Sequence, residues 1–288
     1  MDSMISKFFK STLIAAAVLS ASVTSALSSN VSEWVIVQGG AVRLVRASEP
    51  NTDGLYRGGI EFRLEKGWHT YWRYPGEAGI ATEASFGNSV NIASAEVMFP
   101  APQTYSDGFS TSLIYSDKVV LPFLIKRLDD GRPAILNTNL TFGICKDICI
   151  PGTAEVSLVF PANTIRDDVA DKLVDKAFSQ VPIAQGEMPS LFTKLQVVGE
   201  GKDRNLNISA KVPAKETSPE LFVEGPAGSY HGVPELSLVT KGKASWTLPY
   251  IGLPEDVSDI ELRLTLVTKE GAFEETQNLS VPQLSASK

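Results

Sequence analysis

Apolar and polar residues alternate along much of the chain. Across 135–144 the even positions are Leu136, Thr138, Leu140, Phe142 and Ile144, and Ala154, Val156, Leu158 and Phe160 repeat the pattern with Glu155 and Ser157 between them. A period of two marks half-buried strands. The stretch 142–152, FGICKDICIPG, therefore falls at the junction of two strands. Ile60, Phe62 and Leu64 alternate with Glu61, Arg63 and Glu65 as a further strand. Residues 35–46 are strand-like but broken by Gly39-Gly40, and 119–125 reads as a strand interrupted by Pro122, which points to an edge or a bulge. Seven or more short strands in 30–162 predict an immunoglobulin-like sandwich.

The pattern changes at 164–180. Thr164-x-x-Asp167 looks like a helix N-cap signature, and Val169, Leu173 and Ala177 recur at fourth positions among Asp and Lys, which predicts a short amphipathic helix. Pro182 ends it. Alternation then resumes at Leu206-Ile208-Ala210, Leu236-Leu238, Trp246-Leu248 and, most clearly, Ile260-Leu262-Leu264-Leu266. The predicted fold class is all-β: two immunoglobulin-like β-sandwich domains, 30–163 and 190–283, joined by a short helical linker over 164–189, with a tail at 284–288. His231, in a Gly/Pro-rich loop of the second half, reads as a solvated residue.

Composition refines this picture. Residues 1–26 read as a secretory signal peptide, with Lys7 and Lys10 before the apolar run LIAAAVL and the small residues Thr24-Ser25-Ala26 at its end. That run is too short to span a bilayer, which takes about 20 residues, so an exported, soluble product is expected. The net charge is −7. Removing Lys7, Lys10 and Asp2 makes it −8, a sign that disfavours nucleic acid as a partner. The mature length suits two domains.

Candidate chemistry centres on Cys145 and Cys149, the only two cysteines among 288 residues. If Lys146-Asp147-Ile148 forms a tight loop, they face each other across a hairpin at a separation of about 4.5–5.5 Å, within the range a disulfide accepts. A crosslink closing so short a loop adds only roughly 2 kcal/mol by the loop-entropy formula. That favours a redox-active pair over a purely structural bond, although the structural reading and metal binding both remain open. An aromatic run, GWHTYWRYPG at 67–76, places Trp68, Thr70 and Trp72 on one strand face and His69, Tyr71 and Arg73 on the other. One face is expected to fill a core, or to line a recess near the cysteines.

Four segments, in this order, resemble the N-terminal periplasmic domain of the DsbD family of thiol–disulfide reductases, and more closely its ScsB-like branch. They are GWHTYWRYPGEAG (67–79), FPAP (99–102), LIYSDKVVLPF (113–123) and CKDICIPG (145–152). The resemblance implies a protein-disulfide reductase module with Cys145 and Cys149 as the redox pair. Electrons would come from a membrane-embedded or thioredoxin-like donor and pass to exported disulfide-containing proteins, with no cofactor. The family caps its cysteines with an aromatic loop, for which Tyr105, Phe109 and Tyr115 are the candidates, with His69 and Tyr71 as further cap or partner contacts. The chain lacks the family's multi-helix membrane domain and C-terminal thioredoxin-like domain, so separate proteins are expected to supply them. Between the cysteines, Lys146 favours a thiolate and Asp147 opposes it. No helix begins at the pair, so a slow, partner-specific dithiol is expected. Cys149 is the implied attacking residue. Two alternatives remain: a Cu(I) chaperone using the same CxxxC pair with His69 or His231 as a further ligand, and a non-redox interaction module with a structural disulfide.

Overall fold

The computed structural model describes residues 29–281, except 187 and 256. The signal peptide predicted over 1–26 and the tail at 284–288 lie outside the described residues. Two β-sandwiches account for most of the described residues, as the alternation predicts. The first pairs a five-stranded sheet, in the order Val35–Val37, Gly40–Pro50, Tyr56–Leu64, Lys118–Arg127, Ile92–Val97, with a second sheet. That second sheet runs Cys149–Phe160, Ala134–Cys145, His69–Gly76, Thr111–Ser116, Gln103–Ser106, with Glu83–Ser85 also against Ala134–Cys145. Leu136, Leu140, Phe142 and Ile144 meet Val42, Leu44, Ile60 and Phe62 in one core. The second sandwich packs Phe192–Val198, Asn205–Lys211, Lys243–Pro249 and Glu235–Thr240 against Ile183–Ala184, Gly271–Ser280, Asp259–Thr268 and Glu220–Glu224. Its core holds Leu206, Ile208, Trp246, Leu262 and Leu264. Among the described residues no helix is long and apolar enough to cross a membrane.

Four local expectations are corrected. Lys118–Arg127 is an interior strand, not an edge. It tolerates Pro122 because that carbonyl accepts from Met98 N just past Val97, where the neighbouring strand ends, so the missing N–H falls beyond the ladder. The helix Asp168–Phe178 is capped by Asp167, whose carboxylate accepts from Val169 and Ala170 N–H, and not by Thr164. Its buried stripe is Ala170, Val174 and Ala177, packed on Val45, Ala47 and Val120 of the first sandwich, while Val169 is exposed. Leu236 and Leu238 alternate as read but lie exposed on an edge strand, across a register irregularity. His231 is not solvated: it is buried between the two sandwiches, with Nδ1 on the carbonyl of Gly232 and its ring stacked on Tyr74.

Candidate functional site: the Cys145–Cys149 hairpin

Strands Ala134–Cys145 and Cys149–Phe160 pair residue for residue over their whole length, ending on the register pair Cys145 and Cys149. Lys146, Asp147 and Ile148 make the turn. The two cysteines form a disulfide with Cα atoms 4.2 Å apart. The hairpin predicted from alternation is the hairpin observed. Its two cysteines are not equivalent in access: Cys145 is 1% exposed, packed with Tyr71 and Ile114, whereas Cys149 is an exposed residue at the start of its strand.

Strand His69–Gly76 lies beside this pair, with His69 opposite Cys145 in register. Alternation sends its two faces to different tasks. Trp72 and Tyr74 enter the core, with Trp68 packed against it from a half-buried position. On the other face the Tyr71 hydroxyl lies 3.1 Å from Cys145 Sγ and 3.0 Å from Cys149 Sγ. Neither sulfur of a disulfide carries a proton, so the phenol is the donor, its single O–H shared between the two. Burial, then the neighbouring Asp107 and Tyr105, push the Tyr71 pKa up, so the hydroxyl keeps its proton. A neutral phenol held against two sulfurs stabilises a thiolate more than a thiol, because a charged acceptor makes the stronger hydrogen bond.

Two glycines, neither singled out by the sequence pattern, make room for that ring. A Cβ on Gly143 would stand 2.7 Å from Tyr71 Cδ2, and one on Gly79 would stand 2.2 Å from Tyr71 Cε1, at a φ of +121° that other residues rarely adopt. The tyrosine therefore sits in a slot, with Thr82 Oγ1 donating to its carbonyl at 2.6 Å and Thr70 Oγ1 to the carbonyl of Gly143 at 2.7 Å. Gly143→Ala is expected to push the ring off the sulfurs. Alkylation of reduced Cys149 should then slow at neutral pH by up to about tenfold, the equivalent of one charge-assisted hydrogen bond. An unchanged alkylation rate in a folded variant would remove the slot from the account.

The remaining candidates divide. His69 is buried, which lowers its pKa, and its ring packs on Tyr71 at 5.5 Å and on Tyr105 at 4.8 Å. Tyr105 thus reaches the site through His69 and is partly exposed. Phe109 does not cover the cysteines: it is fully exposed on a turn held by Asp107, whose carboxylate accepts from Phe109 and Ser110 N–H. Tyr115 is a core residue, 6% exposed, with its hydroxyl on the carbonyl of Pro100. It shares the core-facing side of its strand with Leu113, while Ile114 faces the cysteines, so it offers almost no surface to a partner. His231 lies at the seam between the sandwiches and not with the cysteines.

Residues 42–161 match the family model described as thiol:disulfide interchange protein DsbD, N-terminal. Among solved structures, the N-terminal periplasmic domain of ScsB from Proteus mirabilis aligns with a TM-score of 0.69 at 20% identity, over 88% of this chain and 100% of that one. The N-terminal domain of Neisseria meningitidis DsbD in its reduced form aligns over 43% of this chain and 87% of that one, at 16% identity and a TM-score of 0.28. No curated protein matches the chain. The ScsB likeness establishes a common fold extending through both sandwiches.

Proposed function

Since residues 42–161 form a DsbD/ScsB-like N-terminal domain, we propose that this protein is a thiol–disulfide interchange protein that passes electrons through Cys145 and Cys149 to exported partner proteins. One observation carries the reading: the disulfide closes a hairpin with Cys149 exposed, Cys145 buried, and a protonated tyrosine on both sulfurs. That is the asymmetry an exchange pair needs, one sulfur for the partner and one to resolve.

In the reducing direction the Cys149 thiolate attacks one sulfur of a partner disulfide, forming a mixed disulfide and expelling the partner's first thiolate. The Cys145 thiolate then attacks Cys149 Sγ, re-forming the Cys145–Cys149 bond and releasing the second. Two electrons pass to the partner, and the two protons lost by the cysteines end on its thiols. The hydroxyl of Tyr71 donates to whichever sulfur carries the charge. Sulfur alone moves the electrons, so no metal or organic cofactor is required. Reduction of the resting disulfide runs the same steps backwards, with a thioredoxin-like or membrane-embedded dithiol as donor. We place the reaction in the periplasm, on the export signal read at 1–26 and the periplasmic origin of the ScsB domain.

Equilibration of the full chain in defined glutathione and dithiothreitol buffers tests this. The pair is expected to titrate at a potential above about −300 mV, the region in which structural disulfides give way to exchangeable ones. A pair still oxidised well below that value is a structural bond, and the reading fails. Anaerobic Cu(I) titration of the reduced chain is a second check, since tight one-to-one binding lost in Cys149→Ser would favour metal handling instead.

A further inference from the structure

The three residues that follow Tyr71 are all held by the second sandwich. Trp72 meets Phe222, with ring centroids 6.0 Å apart. Arg73 Nε donates to Glu224 at 2.7 Å, and its Nη2 pairs with Glu274. The Tyr74 hydroxyl donates to the His231 carbonyl at 3.0 Å, under a stacked His231 ring. Phe222, Glu224 and Glu274 stand on the outward face of one sheet, and His231 in the loop that follows Glu220–Glu224. Along Glu220–Glu224, Leu221 and Val223 enter the second core, while Phe222 joins the core of the first sandwich and Glu224 reaches Arg73. Along Asp259–Thr268, Leu262, Leu264 and Leu266 point inward. Thr265, on the outward face, donates to Glu274 at 3.1 Å, and Arg263 stands 3.7 Å from Glu224. The two carboxylates are therefore aimed before Arg73 arrives.

The anchoring coincides with a gap in the sheet. Strand His69–Gly76 pairs with Thr111–Ser116 at His69, Thr70 and Tyr71, then loses register and resumes only at Gly76. Its pairing with Ala134–Cys145 covers His69 and Thr70 alone. Residues 72–75 thus have no register partner in either neighbouring strand, with the Trp72 carbonyl accepting from Thr82 N–H, immediately after the residue that must hold its ring in the slot between Gly79 and Gly143.

We propose that the second sandwich is a positioning module for the redox pair, holding strand His69–Gly76 through Phe222, Glu224 and Glu274 so that the Tyr71 hydroxyl stays on the two sulfurs. This rests on the interchange reading for its biological use, but the positioning itself does not require a physiological partner. Arg73 is a positioning residue in this scheme. Its guanidinium stays charged against burial because two carboxylates face it. The role gives the cysteine-free half of the chain a task that its own surface chemistry does not suggest.

The test uses the full reduced chain and the pH dependence of iodoacetamide alkylation at Cys149, followed by mass spectrometry. Tyr71→Phe is expected to lower the thiolate fraction below the thiol pKa about tenfold, the loss of one hydrogen bond to a charged sulfur. The double variant Glu224→Gln/Glu274→Gln is expected to shift the profile the same way by about twofold to fivefold, and to add nothing in the Tyr71→Phe background, since coupled residues are non-additive. Phe222→Leu, which keeps most of the buried volume, is the milder second variant and is expected to behave alike. A wild-type profile in the folded clamp variants overturns the proposal. So do effects that add fully to Tyr71→Phe, which would mean the second sandwich acts on the cysteines by another route. An unchanged profile in Tyr71→Phe itself overturns it as well. None of these outcomes touches the interchange reading, which the redox titration decides separately.

Discussion

Cys149→Ser is expected to slow mixed-disulfide formation more than about tenfold, whereas Cys145→Ser is expected to trap the mixed disulfide. The two variants differ in which sulfur they leave. In Cys145→Ser the remaining thiol is the exposed one at the strand start, with the hydroxyl of Tyr71 beside it and no resolving partner. Any disulfide it attacks should stay attached. In Cys149→Ser the remaining thiol is Cys145, 1% exposed beneath Tyr71 and Ile114. Reactivity follows thiolate character and access together, so this thiol should react with glutathione disulfide more than about tenfold slower than Cys149 does. Mass spectrometry after exposure to glutathione disulfide reads both outcomes. Equal rates in the two variants would show that burial does not choose the attacking sulfur. Loss of reaction in Cys145→Ser alone would reverse the assignment of roles.

The hairpin was legible because its signal is local. Alternation over 135–160 fixes which side chains are buried, and a one-residue slip would have turned every one of them outward. With the register set, four positions of separation bring Cys145 opposite Cys149. The division of His69–Gly76 into a core face and a site face was legible for the same reason, including Tyr71. What stayed hidden depends on contacts distant in sequence. Tyr115 looks like any aromatic in a loop-rich region, and only the neighbouring sheet shows that its face is the core. Gly79 and Gly143 carry no side chain, so nothing in the pattern marks them; the ring they admit belongs to a third segment. His231 sits among Gly and Pro, which reads as solvated loop until Tyr74 is laid over it. One trace of the interdomain seam was present. Leu221-Phe222-Val223 is a continuous apolar run, which in a short strand signals burial on both faces. In this chain the second face belongs to another domain.

Trp72→Ala is expected to destabilise the protein by about 3–5 kcal/mol, the range for removing a large aromatic from a closed core. The side chain has no solvent exposure, stands in the first core, touches Phe222 from the second sandwich, and supports the Arg73 guanidinium 4.3 Å from its ring. For a chain of this size that loss lowers the melting temperature by roughly 10 °C. Trp72→Phe should be far milder. The indole Nε1 is buried without a hydrogen-bond partner, and removing an unpaired buried donor recovers about 1–3 kcal/mol of desolvation, which offsets much of the lost volume. A Trp72→Phe variant as damaged as Trp72→Ala would mean that shape alone, not polarity, governs this position. Calorimetry adds a second reading from the same two proteins. Because Phe222 contributes to the core that Trp72 fills, the alanine variant should shift the unfolding of both sandwiches together. If the second sandwich melted at its original temperature while the first moved, Trp72 and Phe222 would be neighbours without mechanical coupling. The domain that carries no cysteine would then have no grip on the strand that holds Tyr71.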